Sequence, residues 1–280
     1  MVNDTNEMRF FQIDIFIIVI LSLLGAVVFF ILAIVVYAHI LMRKRPLTAL
    51  YDARSRQEDF CHYEDIPPMF IHFILQVEDD CFFEHKGLAW LGIRDAVMLN
   101  IRNRKIVTGG STISQQLVKN LYFRFHHSFI RKACETIITC KLERIFSKQK
   151  ILEMYLNIIY WGFGIYGIKD AAAFYFGKEP ADLTVNQMFI LACIPFAPTM
   201  GNPISFPDRF ERIRNKRLDL LMKRGTISEA DAKEIRSHDM NGLDPLLRKA
   251  DPFTDNYSRK IPLNNDRFGP YPNENGVTRP

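Results

Sequence analysis

The sequence predicts a mostly α-helical protein, with one transmembrane helix followed by a single helical domain. Three observations carry this prediction. Residues 15–40 form an apolar run of 26 residues without a formal charge. Beyond about residue 67 the apolar positions recur with a helical period, and no strand-type alternation of any length follows. Gly109-Gly110, Thr112 and Ser147 punctuate that pattern where helices would break or start. The chain has 280 residues, 48% apolar and 24% charged, so it is neither disordered nor low-complexity as a whole. A multi-span transporter is excluded, because the apolar residues able to span lipid lie in one run.

The first element is the anchor. Twenty-six helical residues rise roughly 39 Å, enough to cross a bilayer core of about 30 Å with tilt. A cleaved signal peptide is the rival, but its apolar core is usually about 7–15 residues. Orientation is less simple. Arg9 is the only Lys or Arg before the run, whereas Arg43, Lys44, Arg45, Arg54 and Arg56 follow it. The positive-inside rule then places the following domain in the cytoplasm. Of the net charge of +5, residues 1–14 carry −2 and residues 46–280 carry +4. A mildly basic domain beside lipid suits an anionic surface or substrate, and ordinary solubility explains it equally. The five cysteines include no CxxC pair, so neither a metal-ligand spacing nor a disulfide framework is supported.

The expected organisation is a tail at 1–14, the anchor at 15–41, a polar linker at 42–65, the domain at 66–240 and a disordered tail at 241–280, rich in Asn, Pro and Gly. Residues 69–77 are apolar and run into Glu78-Asp79-Asp80. Residues 88–107 mix Trp90, Leu91, Ile93, Val97, Met98 and Ile101 with Arg94, Arg102, Arg104 and Lys105. This amphipathic segment lies either on a membrane or against the core. Thr112 with Gln115 has the capping-box spacing. A helix from about Phe129 presents Cys134, Ile137, Ile138, Leu142 and Ile145 at the helical period. Ser147 caps the next helix, at 148–156, and further helices follow near 168–175, 185–193, 207–223 and 228–238.

Several constellations could carry chemistry. If a helix continues past Glu78, then Glu78, Phe82 and His85 share one face. A carboxylate beside a ring and an imidazole can act as a tuned general base, and a solvated acidic helix end or a metal cluster explains the same residues. Gly109-Gly110 before a capped helix leaves N–H groups open to an anion, with Thr112, Gln115 and Lys119 as one polar stripe. A capped surface helix explains the caps alone. Arg131, Lys132 and Glu135 read either as an ordinary surface ion pair or as a cation pair for a diphosphate, ordered by a carboxylate. Residues 151–157 and 171–178 read by themselves as helix packing next to a glycine-containing loop.

In this order and spacing the motifs resemble the peptidoglycan glycosyltransferases, glycosyltransferase family 51. The pattern E-D-x-x-F-x-x-H-x-G is met by Glu78, Asp79, Phe82, His85 and Gly87. G-G-S-T-I-[TS]-Q-Q is met in full at 109–116, with Lys119 and Asn120 after it. R-K-x-x-E is met by Arg131, Lys132 and Glu135, I-L-E-x-Y-L-N at 151–157, and A-A-x-x-Y-F-G-K within 171–178. The resemblance covers about residues 67–203. Three departures stand out. His127 replaces a usual basic residue, Ala89-Trp90 stands where an aspartate is common, and Asn186-Gln187 where an acidic residue is common.

The resemblance implies a lysozyme-like, mostly helical domain with a small membrane-facing jaw, for which residues 88–107 are the candidate. It implies polymerisation of lipid II into β-1,4-linked glycan with inversion and release of undecaprenyl diphosphate. Glu78 would be the base and Glu135 the second catalytic carboxylate. Lys119, Arg131 and Lys132, helped by Mg²⁺ or Mn²⁺ with Glu135 as a metal ligand, would hold the diphosphate. Ser111, Thr112, Gln115, Gln116, Asn120, His127, Asp79, Phe82, His85, Glu153 and Asn157 would complete the substrate site. Expected partners are lipid II, the growing strand, the membrane, transpeptidases and division or elongation proteins, with no nucleic acid and no organic cofactor. The domain would lie outside the cytoplasm at the bacterial inner membrane, against the flanking charge pattern. S-x-x-K occurs at 147–150 but no K-T-G follows, so a monofunctional enzyme is expected. The rivals are a lysozyme-like hydrolase and a non-catalytic cell-wall scaffold.

Overall fold

The computed structural model describes residues 2–103, 110–123, 128–199 and 201–237. His127, Gly109 and the whole 241–280 tail lie outside the described residues. Among the described residues eleven α-helices run in order: α1 (Val2–Lys44), α2 (Leu47–Ser55), α3 (Pro68–Glu78), α4 (Trp90–Asn103), α5 (Ile113–Tyr122), α6 (Phe129–Ile145), α7 (Lys148–Ile158), α8 (Ile168–Phe176), α9 (Val185–Cys193), α10 (Pro207–Arg224) and α11 (Glu229–Ser237). Among the described residues there is no strand, only an isolated bridge between Tyr160 and Tyr166. The mostly helical expectation holds.

Local chemistry sets the helix ends. Thr112 and Thr184 each close a capping box, with Gln115 and Gln187 three residues on. Ser128 and Ser147 accept the N–H of Arg131 and Lys150. Pro68 and Pro207 occupy first-turn positions, where a missing N–H costs nothing. Gly177 and Gly225 end α8 and α10 in the left-handed region.

The core is built around α3, α7 and α9. Helix α3 packs along α9, where Phe73 meets Phe189 edge-on at 5.1 Å between ring centroids. Residues 151–158 of α7 are all buried, so this helix is apolar around most of its circumference and is enclosed by α2, α5, α6 and α8. Helix α5 lies between α6 and α7 and buries Ile113, Leu117, Val118 and Leu121.

Helix α1 has two different parts. From Phe16 to Ile40 its large apolar side chains are mostly exposed, Phe29 at 74%. It is the one described helix long and apolar enough to cross a bilayer. Its C-terminal turns, however, belong to the domain. Ala38 is fully buried, Ile34, Leu41 and Met42 pack against the core, and α1 lies on α6. Arg45 donates to the Leu121 carbonyl at 3.0 Å, and Tyr122 Oη donates to the Arg45 carbonyl at 2.5 Å.

The linker expected at 42–65 needs correction. Residues 47–55 are helix α2, and Leu47, Arg54, Phe60 and Cys61 are buried. The segment reads as polar because its apolar residues are scattered, yet Leu47 and Cys61 join the core, Leu50, Tyr51 and Tyr63 pack against it, and hydrogen bonds add to these contacts. Arg54 donates to the Asn157 carbonyl at 3.0 Å and pairs with Asp59 at 2.7 Å. Asn157 brackets Cys61, accepting its N–H at 2.8 Å and donating to its carbonyl at 2.7 Å.

Candidate active site

Helix α3 ends at Glu78 because Asp79 turns to an extended backbone, φ −165°, with its N–H on the Leu75 carbonyl. That break points Glu78 into a cleft of about 370 Å³. Gly110, Ser111, Thr112 and Gln116 form one wall of the cleft, and Phe196, Arg217, Leu220 and Arg224 the other. The helical face expected to join Glu78, Phe82 and His85 therefore does not form. The chain turns away, and Asp79 rather than Glu78 meets His85.

Glu78 sits in an asymmetric setting. Its Oε2 accepts from Gln116 Nε2 at 2.9 Å, while Oε1 is shielded from solvent and has no partner among the described residues. Tyr155 Oη donates to Gln116 Oε1 at 3.1 Å, which turns the amide N–H₂ toward Glu78. Burial raises the Glu78 pKa above the ordinary glutamate value. The Gln116 hydrogen bond and the charges of Arg217 and Lys119 pull it down, and Asp79 pushes it further up. Burial holds the Tyr155 hydroxyl well above its usual pKa, so it remains a donor.

Behind Glu78 lies a buried scaffold. Asp79 Oδ2 accepts the Ile113 N–H at 2.8 Å, a carboxylate at the N-terminus of α5, and His85 Nε2 at 3.0 Å. Gly87 N donates to His85 Nδ1 at 3.0 Å, so the ring proton sits on Nε2 and is given to Asp79. Gly87 also accepts from Thr112 Oγ1 at 2.6 Å. Phe82 is buried under this unit, with Lys148 Nζ 4.4 Å from its ring centroid.

The cations come from the neighbouring helices. Glu135, 1% exposed, accepts from Arg131 Nη1 at 2.9 Å on one oxygen and from Lys132 Nζ on the other. Lys132 Nζ reaches on to Ser111 Oγ at 3.0 Å, tying α6 to the glycine-led turn before α5. Lys119 keeps an open surface, yet the protein around it desolvates its ammonium and lowers its pKa, against the pull of Glu135 and Glu78. Lys119 is thus coupled to both carboxylates at once. The polar stripe expected along α5 splits. Thr112 and Gln115 are buried in their own capping box, and it is Gln116 that reaches Glu78.

A family model described as Transglycosylase matches residues 43–223. The chain belongs to the transglycosylase family. Penicillin-binding protein 1F of Bacillus subtilis is 40% identical over 193 residues, covering 69% of this chain and 27% of that protein. Biosynthetic peptidoglycan transglycosylase of Acinetobacter baumannii is 44% identical over 136 residues, covering 49% of this chain and 60% of that protein. The chain thus spans 27% and 60% of the length of these two relatives. A crystal structure of penicillin-binding protein 1A from Haemophilus influenzae aligns at 38% identity over 33% of this chain and 14% of that one, with a TM-score of 0.31.

Two expected site residues lie elsewhere in the transglycosylase domain. Glu153 accepts from Tyr51 Oη at 2.6 Å and from the Tyr63 N–H at 2.8 Å. Asn157 is fully buried on Cys61. Both hold the α2 segment against α7 rather than facing the cleft, because they sit on the side of α7 that receives that segment. Asn120 is half-buried next to Lys119 in α5. Sequence reasoning missed Phe196, Arg217, Leu220 and Arg224. They come from α10 and the turn after α9, far along the chain from the motifs, and a basic amphipathic helix gives no sign of which arginine turns inward.

A divalent ion does not fit Glu135. Both of its oxygens are already held by cations, and among the described residues no carboxylate groups with it into a metal-ligand set, whereas Mg²⁺ demands near-octahedral oxygen ligation. Asp79, Cys81 and His85 offer ligand atoms within 4.8 Å of one another. The proton on His85 Nε2 and the Ile113 N–H already occupy Asp79, so this trio is a hydrogen-bonded unit rather than an open ligand set.

Proposed function

We propose that this chain is a peptidoglycan glycosyltransferase that joins lipid II units into β-1,4-linked glycan. The observation that carries the reading is Glu78, with one unpartnered buried oxygen in the cleft, together with a cation group in which Arg131 and Lys132 pair with Glu135, Lys132 reaches the cleft residue Ser111, and Lys119 feels the charge of both Glu78 and Glu135. Glu78 Oε1 takes the proton from the acceptor 4-hydroxyl. That oxygen bonds to the donor anomeric carbon from the face opposite the diphosphate, so an α-linked donor gives a β-linked product. The anomeric C–O bond breaks, and its electron pair leaves on undecaprenyl diphosphate. The leaving group needs charge neutralisation more than a protonating acid, which matches cations on that side. A base whose pKa is raised by burial lies nearer the working pH, where proton abstraction is most effective.

The lipid tail of such a substrate explains why the site sits beside a bilayer-spanning helix. We place the domain outside the cytoplasm, where lipid II is consumed, although Arg43, Lys44 and Arg45 follow the span. The product would be the substrate of a transpeptidase. The test is incubation of the purified full chain with lipid II. Growth of glycan polymer supports the reading. Release of muropeptides from intact sacculi without lipid II consumption replaces it with a hydrolase, and no turnover of either leaves the scaffold reading.

A further inference from the structure

Arg217, on α10, lies in the same cleft as Glu78, and nothing in the motifs or the proposed chemistry uses it. Its guanidinium is held at two points. Nη1 donates to the Val77 carbonyl at 2.8 Å, and the group stacks over the Phe196 ring at 4.2 Å. Val77 is the residue before Glu78, and its carbonyl is one of those left open where α3 ends. A cation on such a carbonyl both caps the helix and complements the negative end of its dipole. Phe196 is 52% exposed, so the stack forms part of the cleft wall rather than the core.

We propose that Arg217 is a positioning residue for Glu78, clamping the last turn of α3 from across the cleft and supplying the positive field in which that carboxylate works. This rests on Glu78 being the base. The groups facing Glu78 are Asp79 on its own strand of chain, Gln116 and Lys119 from α5, with Tyr155 of α7 behind Gln116, and Arg217 from α10. Lys119 also answers to Glu135, so Arg217 is the cation whose hydrogen bond is made to the Glu78 turn itself. Its charge opposes the effect of burial on Glu78. Arg224, nearby in the cleft, is already paired with Asp80 at 2.7 Å.

The experiment is the pH dependence of lipid II polymerisation by the full chain, R217Q and R217K. R217Q is expected to move the acid limb of kcat to higher pH and lower the plateau on the order of tenfold, with KM little changed. R217K restores the limb in part, because it returns a point charge but not the planar stack. An unmoved acid limb in R217Q overturns the proposal while leaving Glu78 as base. If the wild type turns over no lipid II, the enzymatic reading fails first, and the inference is read from thermal stability. E78Q should then raise Tm at neutral pH more in the R217Q background than in the wild type. An equal rise in both backgrounds overturns the inference.

Discussion

At the scale of single residues, the account turns on a carboxylate kept in a poor place for a charge. Glu78 is raised in pKa because burial outweighs the help of Gln116, Arg217 and Lys119. Between the ordinary glutamate pKa and the raised one, the folded chain holds a proton that the unfolded chain releases. The sign follows: stability is fully present at acidic pH and is lost as pH rises through that window. E78Q removes the penalty. Its Tm is therefore expected to exceed that of the wild type at neutral pH, with the gap closing on acidification. Each kcal/mol reads as about 2–4 °C in a domain of this size, and a lower Tm at neutral pH would contradict the setting described for Glu78. The residue types here were legible in the sequence, since a carboxylate and clustered cations at motif spacing suggest their own chemistry. Their partners were not. The capping-box spacing singles out Gln115 locally, but nothing local says that Gln116, a 100° step further around α5, donates to Glu78. Glu135 was expected to bind a metal ion, but two cations supplied by its own helix take one contact on each of its oxygens.

At the scale of elements, the site depends on how the end of α3 meets the start of α5. Gly87 makes that junction. Its φ is +94°, and a Cβ there would lie 2.8 Å from Thr139 Cγ2 and 3.1 Å from Glu143 Cγ. Its N–H and carbonyl are both committed, to His85 and Thr112. Gly87→Ala is expected to destabilise the fold by about 1–3 kcal/mol, measured by urea unfolding, and to lower kcat by loosening Glu78 from Gln116. Unchanged stability would mean that the junction is not built as described. Helix starts were readable, because Thr112 and Ser147 cap locally through their own side chains. The end of α3 was not readable, because no glycine or proline marks it. It is set by Asp79 leaving the helix to reach Ile113 and His85, contacts separated in sequence by 34 and 6 residues.

At the scale of the whole molecule, the C-terminal turns of α1, the α2 segment and the transglycosylase domain are one packed unit. Residues 42–65 look like a linker because they are polar, but their polar groups are spent on the domain. The Asn157 side chain makes two hydrogen bonds of 2.7–2.8 Å to Cys61 that pin this segment to α7, and a third, at 2.8 Å, to the Glu153 carbonyl within α7 itself. Asn157→Ala is expected to cost about 2–4 kcal/mol by urea unfolding while leaving KM for lipid II unchanged at temperatures where the protein stays folded. A raised KM with unchanged stability would return Asn157 to the substrate site. The most direct test of the central claim separates binding from turnover in E78Q. With the leaving-group cations intact, lipid II binding should match the wild type while polymerisation falls by about 10²–10⁴-fold, the usual contribution of a general base. Wild-type turnover by folded E78Q would contradict the claim that Glu78 takes the acceptor proton.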